Sequence, residues 1–190
     1  MRRIHELRTI YPAHPVGGDV EGNTKLIRAI VRELHLMEGV QPICPYLGDV
    51  QALDDNLPKE REIGLLSIAE YFWREMIDEV WLFGPRISNG MRGEIEFAWD
   101  MGVPVYAKSS MTIPLLQEME IKQKPNTKDL PDVITRLVAR LQPIPLAQLV
   151  SRAARIGNTS ENNMREIITT MLLQHKLECR IPGHLQLKKL

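Results

Sequence analysis

Residues 82–106, LFGPRISNGMRGEIEFAWDMGVPVY, change character several times in quick succession. An apolar run ends at Gly84, a polar turn and a glycine-bearing loop follow, and a helical segment leads to a second apolar run. Strand, loop, helix, strand is the repeating unit of an open α/β sheet. Its buried parallel strands read as continuous apolar runs, not as alternating ones. EVWLFG (79–84) and VPVYAKS (103–109) are the strands this unit predicts, with a helix over Gly93–Met101 between them.

The same alternation extends upstream. RTIYPAHPV (8–16) reads as a short strand breaking into a loop at Pro12, Pro15 and the Gly17–Gly18 pair. Asn23 is placed to cap TKLIRAIVRELHLMEG (24–39), where Leu26, Ile27, Ile30, Val31, Leu34 and Met37 recur at helical spacing and Gly39 closes the segment. VQPICPY (40–46) is a second strand. LGDVQALDDNLPKERE (47–62) reads as a polar loop ahead of a helix over about 63–77, with Ile63, Leu66, Tyr71 and Met76 among its apolar positions. Four strands separated by helices predict an α/β domain over residues 1–121: a small doubly wound, flavodoxin- or Rossmann-like parallel sheet with right-handed crossovers.

Downstream the pattern changes. A polar, proline-containing linker at 122–128 precedes a second unit at 129–190. DLPDVITRLVARLQ, PLAQLVSRAARIG and SENNMREIITTMLLQHKL are its three helices, the last capped by Ser160 with Glu161 in the first turn. ECRIPGHLQLKKL supplies two short strands around Pro182–Gly183. Three helices and a terminal hairpin predict a small winged-helix-like α+β unit.

Composition bounds the function classes. With 190 residues, 44% hydrophobic and 25% charged, the chain has the makings of a core and not of a disordered polymer. No apolar run approaches the roughly 20 residues that cross a bilayer, and MRRIHELRTIYPAHP lacks the apolar centre of a signal peptide. Cys44 and Cys179 form no metal or redox motif. These features together read as a reduced, cytoplasmic protein with no membrane partner. The zero net charge is unevenly divided: 12 Lys and Arg against 19 Asp and Glu up to Ile121, a net of −7, then 12 against 5, a net of +7. The basic second unit admits nucleic acid as a partner; solvated basic helix faces explain the same numbers.

In an open α/β sheet ligands bind where the loops converge at the carboxyl ends of the strands. Two loops fall there, Tyr11–Gly18 and Gly84–Gly93. The second runs into a helix whose free N–H groups favour an anion, and Gly90 and Gly93 allow close backbone approach. Glu94 follows at the first helical turn, with Glu96 directed roughly opposite. An ionised Glu94 could attack an electrophilic carbon or stabilise positive charge; it also fits an ordinary first-turn carboxylate complementing the helix dipole.

IYPAHP, IDEVWLFG and SNGMRGEIEFAWDMGVPV, in this order and spacing over roughly residues 9–110, resemble the nucleoside 2-deoxyribosyltransferase superfamily, which includes 2'-deoxynucleoside 5'-phosphate N-hydrolases. The resemblance implies cleavage of an N-glycosidic bond, with the sugar passed to water or to another base. It implies Glu94 as nucleophile, Tyr11 as the residue orienting it, and Ser88 as a holder of the 5'-phosphate. Gly90, Met91, His14 and Asp54 would then line the substrate. The family's acid for the departing base falls on Glu70, a glutamate where an aspartate is usual; Asp54, Asp55 and Glu62 in the preceding loop are the alternatives. No cofactor and no metal is implied, and a homo-oligomer is.

For the second unit, a winged helix would present Asn162, Asn163 and Arg165 to DNA, with Arg180, His184, Lys188 and Lys189 on the hairpin. The competing expectation is an accessory domain. A nucleotide sensor joined to a DNA-binding module is the alternative to an enzyme.

Overall fold

The computed structural model describes residues 7–123, 128–141, 144–174, 176–181 and 184–187. The chain divides into two compact units, Met1–Trp99 with Val103–Lys124, and Asp100–Gly102 with Pro125–Leu190.

In the first unit the elements run β1 (Arg8–Ala13), α1 (Val20–Leu36), β2 (Val40–Pro42), α2 (Tyr46–Ala52), α3 (Pro58–Trp73), β3 (Glu79–Leu82), α4 (Asn89–Asp100), β4 (Val105–Ala107) and α5 (Thr112–Gln123). The four strands form one parallel sheet in the order β2-β1-β3-β4. Tyr11 pairs with Val80 and Ala13 with Leu82, which brings the carboxyl ends of β1 and β3 level.

Successive residues of β1 face opposite sides of the sheet. Ile10 packs with Leu34 of α1, Val40 and Trp81, with Ile30 and Phe83 beside them. Tyr11, on the other side, stacks on Tyr46 of α2 at 5.6 Å and Phe72 of α3 at 5.7 Å. Phe72 in turn meets Phe97 of α4 edge-on at 5.5 Å. One face therefore carries α1 and the other carries α2, α3 and α4. That division is what right-handed crossovers require when the chain moves from β1 outward to β2 and then back across β1 to β3. The reversal opens a crevice between the carboxyl ends of β1 and β3.

Several boundaries differ from the sequence expectation, each for a local reason. The cap of α1 is Asp19, whose carboxylate accepts the Gly22 N–H at 2.9 Å, and not Asn23, whose amide donates to the Val16 carbonyl at 2.9 Å. The segment expected as a polar loop contains α2, because Tyr46 buries its ring against β1 and draws the following turn onto the sheet. α3 starts at Pro58, the favoured first helical residue, and stops at Trp73 ahead of Glu75, which has positive φ. α4 begins at Asn89 and not Gly93, since Ser88 accepts the Met91 N–H through its hydroxyl at 3.3 Å and the Arg92 N–H through its carbonyl at 2.9 Å.

The second unit contains α6 (Leu130–Leu141), β5 (Ile144–Pro145), α7 (Leu146–Ile156), α8 (Glu161–Leu173), β6 (Leu177–Ile181) and β7 (His184–Leu187). Its strands pair antiparallel in the order β5-β7-β6, so the hairpin foreseen from the sequence is joined by a third short strand. Leu137 of α6, Leu149 of α7, Met164 and Ile168 of α8 and Leu185 of β7 are buried together with their neighbours. Ser160 caps α8 by accepting the Asn163 N–H at 3.2 Å.

One glycine is demanded by the crevice. Gly84, with φ +85°, lies where a Cβ would stand 2.9 Å from both His14 Nε2 and Pro15 Cδ, so the loops after β1 and β3 touch only because it has no side chain. Gly84→Ala should lower stability by about 1–3 kcal/mol, since strain and overlap add at one position, measured as a fall in the urea midpoint.

Candidate active site

Glu94 lies on the second turn of α4, one turn deeper than its expected place at the helix start. Tyr11 donates its hydroxyl hydrogen to Glu94 Oε1 at 2.8 Å. The residue as a whole keeps some exposure, yet its carboxylate is desolvated among aromatic rings. Burial pushes the carboxyl up to about 7, only partly offset by the hydrogen bond from Tyr11, which favours the charged form. The sequence reading of an ionised glutamate at a helix N-terminus is thereby corrected: depth in the fold outweighs the helix dipole, and the group titrates near neutrality.

The surrounding groups stay neutral there. Burial first, and the neighbouring Glu94 second, raise the Tyr11 phenol well above its ordinary range. Burial likewise raises Tyr46, and it pushes the Cys44 thiol up to about 11. Tyr11 is thus a fixed donor, and Glu94 is the member of this cluster whose charge changes near pH 7. Tyr46 and Cys44 were not singled out from the sequence. The proline before Tyr46 and the cysteine two residues before it look like ordinary strand-end residues, and only the packing of α2 brings them to Tyr11.

The other expected residues divide by what the fold does with them. His14 is buried, with Nδ1 2.8 Å from the Pro15 carbonyl and its ring against Gly84; it joins the two loops at the crevice. Ser88 borders the crevice as the cap of α4. Gly90 and Gly93 are helical residues, and Met91 is turned into the core at 2% exposure, so these three do not form the ligand-cradling loop expected of them. Glu70 is exposed on α3 and ion-paired with Arg74 Nε at 2.6 Å. Asp54 is an exposed turn residue, accepting from the Asn56 N–H and side-chain amide at 2.9 Å. Asp55 pairs with Arg61 at 3.1 Å, and Glu62 faces solvent. None of these four is gathered at Glu94. Asp49 on α2, one turn beyond Tyr46, has a shielded Oδ2 without a hydrogen-bond partner among the described residues.

In the second unit Asn162, Asn163 and Arg165 are exposed on α8. Asn163 donates its amide to Thr159 Oγ1 at 2.9 Å, and Arg165 lies 3.8 Å from Glu161. Lys188 and Lys189 lie outside the described residues, as does the side chain of Arg180. Among the described residues, no helix is long and apolar enough to cross a membrane.

Fold and crevice define an open α/β domain with a buried tyrosine–glutamate pair at its switch point. Residues 8–108, just over half of the chain, match the family described as Domain of unknown function (DUF7768), and the chain belongs to that family. The matched span runs from the start of β1 to just past β4 and includes both Tyr11 and Glu94. No curated protein and no solved structure matches the chain.

The raised carboxyl has a consequence for stability. Between about 4.5 and about 7 the folded state binds a proton that the unfolded state has released, so this group's contribution is full below pH 4.5 and is lost as pH rises through 7. Glu94→Gln, which carries no charge at any pH, should therefore gain on wild type by up to about 3 kcal/mol as pH rises across that window. Paired chemical denaturation curves at pH 4.5 and pH 8 measure it.

Proposed function

We propose that the first unit cleaves the N-glycosidic bond of a nucleoside or nucleotide, with Glu94 as nucleophile, acting as a hydrolase or a deoxyribosyltransferase. One observation carries this reading: a desolvated carboxylate on the helix after β3, held at 2.8 Å by the hydroxyl of a tyrosine on β1. The resemblance to the nucleoside 2-deoxyribosyltransferase superfamily supplies the reaction class.

The chemistry follows from the pair. Ionised Glu94 attacks C1', the C1'–N bond breaks, and its electron pair leaves on the base, which takes up a proton. The transition state is oxocarbenium-like, and the neighbouring negative charge stabilises it. Water or an acceptor base then attacks C1' from the opposite side, returns the electron pair to the Glu94 carboxylate and releases a proton. Tyr11 holds the carboxylate in one rotamer through both steps. The resemblance also makes Ser88, whose hydroxyl accepts the Met91 N–H at the start of α4, the residue that holds a 5'-phosphate. The resemblance also suggests a homo-oligomer, and the exposed apolar side chains of α3, among them Ile63 and Leu66, suit a subunit contact.

We read the second unit as winged-helix-like, on the succession of three helices with an antiparallel sheet in the order β5-β7-β6. Part of its positive charge is internally committed, since Arg136 pairs with Asp132 and Arg152 is buried. Glu161 and Glu166 share the exposed surface of α8 with Arg165. An accessory domain fits these observations better than a sequence-reading one. Anisotropy with a fluorescent DNA duplex should accordingly show no binding tighter than the non-specific range of about 10⁻⁶–10⁻⁴ M.

Free base released from a panel of deoxy- and ribonucleosides and their 5'-phosphates, with and without acceptor base, tests the enzymatic reading. Release should fall at least about a hundredfold in Glu94→Ala and by about 10–100-fold in Tyr11→Phe, the loss of a hydrogen bond to a charged group. In wild type kcat/KM should drop about tenfold per pH unit below 7, as the nucleophile protonates. Nucleotide binding without turnover anywhere on the panel would favour a sensor over an enzyme.

A further inference from the structure

A tyrosine on a strand is fixed at its Cα, while its hydroxyl swings on two torsions about six ångströms away, roughly the length of the side chain. The hydrogen bond to Glu94 therefore depends on what flanks the Tyr11 ring. Phe72 does so on one side, at 5.7 Å and 53°. Tyr46 does so at 5.6 Å and 58°.

The two flanking rings are held differently. Phe72 is fixed by packing alone, against Phe97. Tyr46 is 6% exposed and is anchored at both ends: its backbone opens α2, and its hydroxyl donates to the Pro12 carbonyl at 2.6 Å. The Cys44 thiol lies near the same hydroxyl, and after burial it is the next cause that raises the Tyr46 phenol. Pro12 adjoins Tyr11 on β1, so the tether runs from the Tyr46 ring back to the strand residue next to the phenol it flanks.

We propose that Tyr46 is a positioning residue of the Glu94 site, its tethered ring holding the Tyr11 phenol in the rotamer that donates to Glu94. Its catalytic meaning rests on the reading of Glu94 as nucleophile. The groups facing the Glu94 carboxylate electrostatically are Tyr11 from β1, Tyr46 from α2 and Cys44 from the β2–α2 connection, all neutral at pH 7. Anything that loosens the Tyr11 donor consequently leaves Glu94 harder to ionise.

The test is a carboxyl ¹³C NMR titration of Glu94 in the 190-residue chain. Tyr46→Phe, which keeps the ring and removes the tether, and Tyr46→Leu, which removes both, are each compared with and without Tyr11→Phe. Tyr46→Leu should raise the Glu94 midpoint by about one unit and Tyr46→Phe by roughly half of that, as a hydrogen bond to a charged group weakens. Neither should move it once Tyr11→Phe has removed the donor. A lowered melting temperature with an unmoved midpoint would overturn the proposal, as would equal shifts in both backgrounds. If Tyr46→Leu fails to fold, Tyr46→Phe decides alone. The titration reads positioning even in a protein that releases no base, in which case the glycosidic reading falls by itself. Base release with a pH profile indifferent to Tyr46 would remove only this inference.

Discussion

The hydrogen bond from Tyr11 to Glu94 joins one of the two interior strands of the sheet to the helix that follows the other. A carboxylate withdrawn from water is costly unless something satisfies it. Here the Tyr11 phenol does so, and burial lifts its own ionisation still further above neutrality. Most of the first unit can be understood as the surroundings this pair requires. β1 and β3 must be level, α4 must start early enough to put Glu94 a turn inside, and rings from α2 and α3 must exclude water around the phenol.

Such a pair is a poor device for stability. Glu94 ionises only near pH 7, so at neutral pH the fold carries an anion that it disfavours. Groups of this kind gather at functional sites because chemistry needs a carboxylate poised between its two forms. The position at the switch point gives the same indication from topology, since the crevice between β1 and β3 opens where successive crossovers turn to opposite faces of the sheet. Gly84 and His14 close the floor of that crevice through a contact that a single methyl group would prevent.

The second unit poses a different question. Its excess of basic residues suggested nucleic acid, but charge counted along a chain says nothing about which charges remain available. Arg136 is spent on Asp132 and Arg152 on the interior, and α8 presents acids beside its arginine. The exposed face of a helix, and not the composition of a segment, governs whether it attracts a polyanion.

Much of the fold was legible from periodicity. Continuous apolar runs gave β1, β3 and β4, and the spacing of Leu26 to Met37 gave α1. What could not be read were features set by contacts between distant segments. α2 lay hidden in a segment whose composition is polar, since a single burial, that of Tyr46, organises it. Asp19 displaced Asn23 as cap because the preceding loop used the asparagine amide elsewhere. Glu70 matched a family position by spacing, but α3 turns it toward solvent and Arg74. By itself, then, the sequence determined the alternation of elements, with Tyr11 on the first strand and Glu94 on the helix after the third, because local periodicity and turn chemistry act over a few residues. Only the tertiary structure decided that these two side chains meet 2.8 Å apart with the Tyr46 ring against Tyr11, because their separation of 83 positions is closed by parallel strand register and by nothing nearer in the chain.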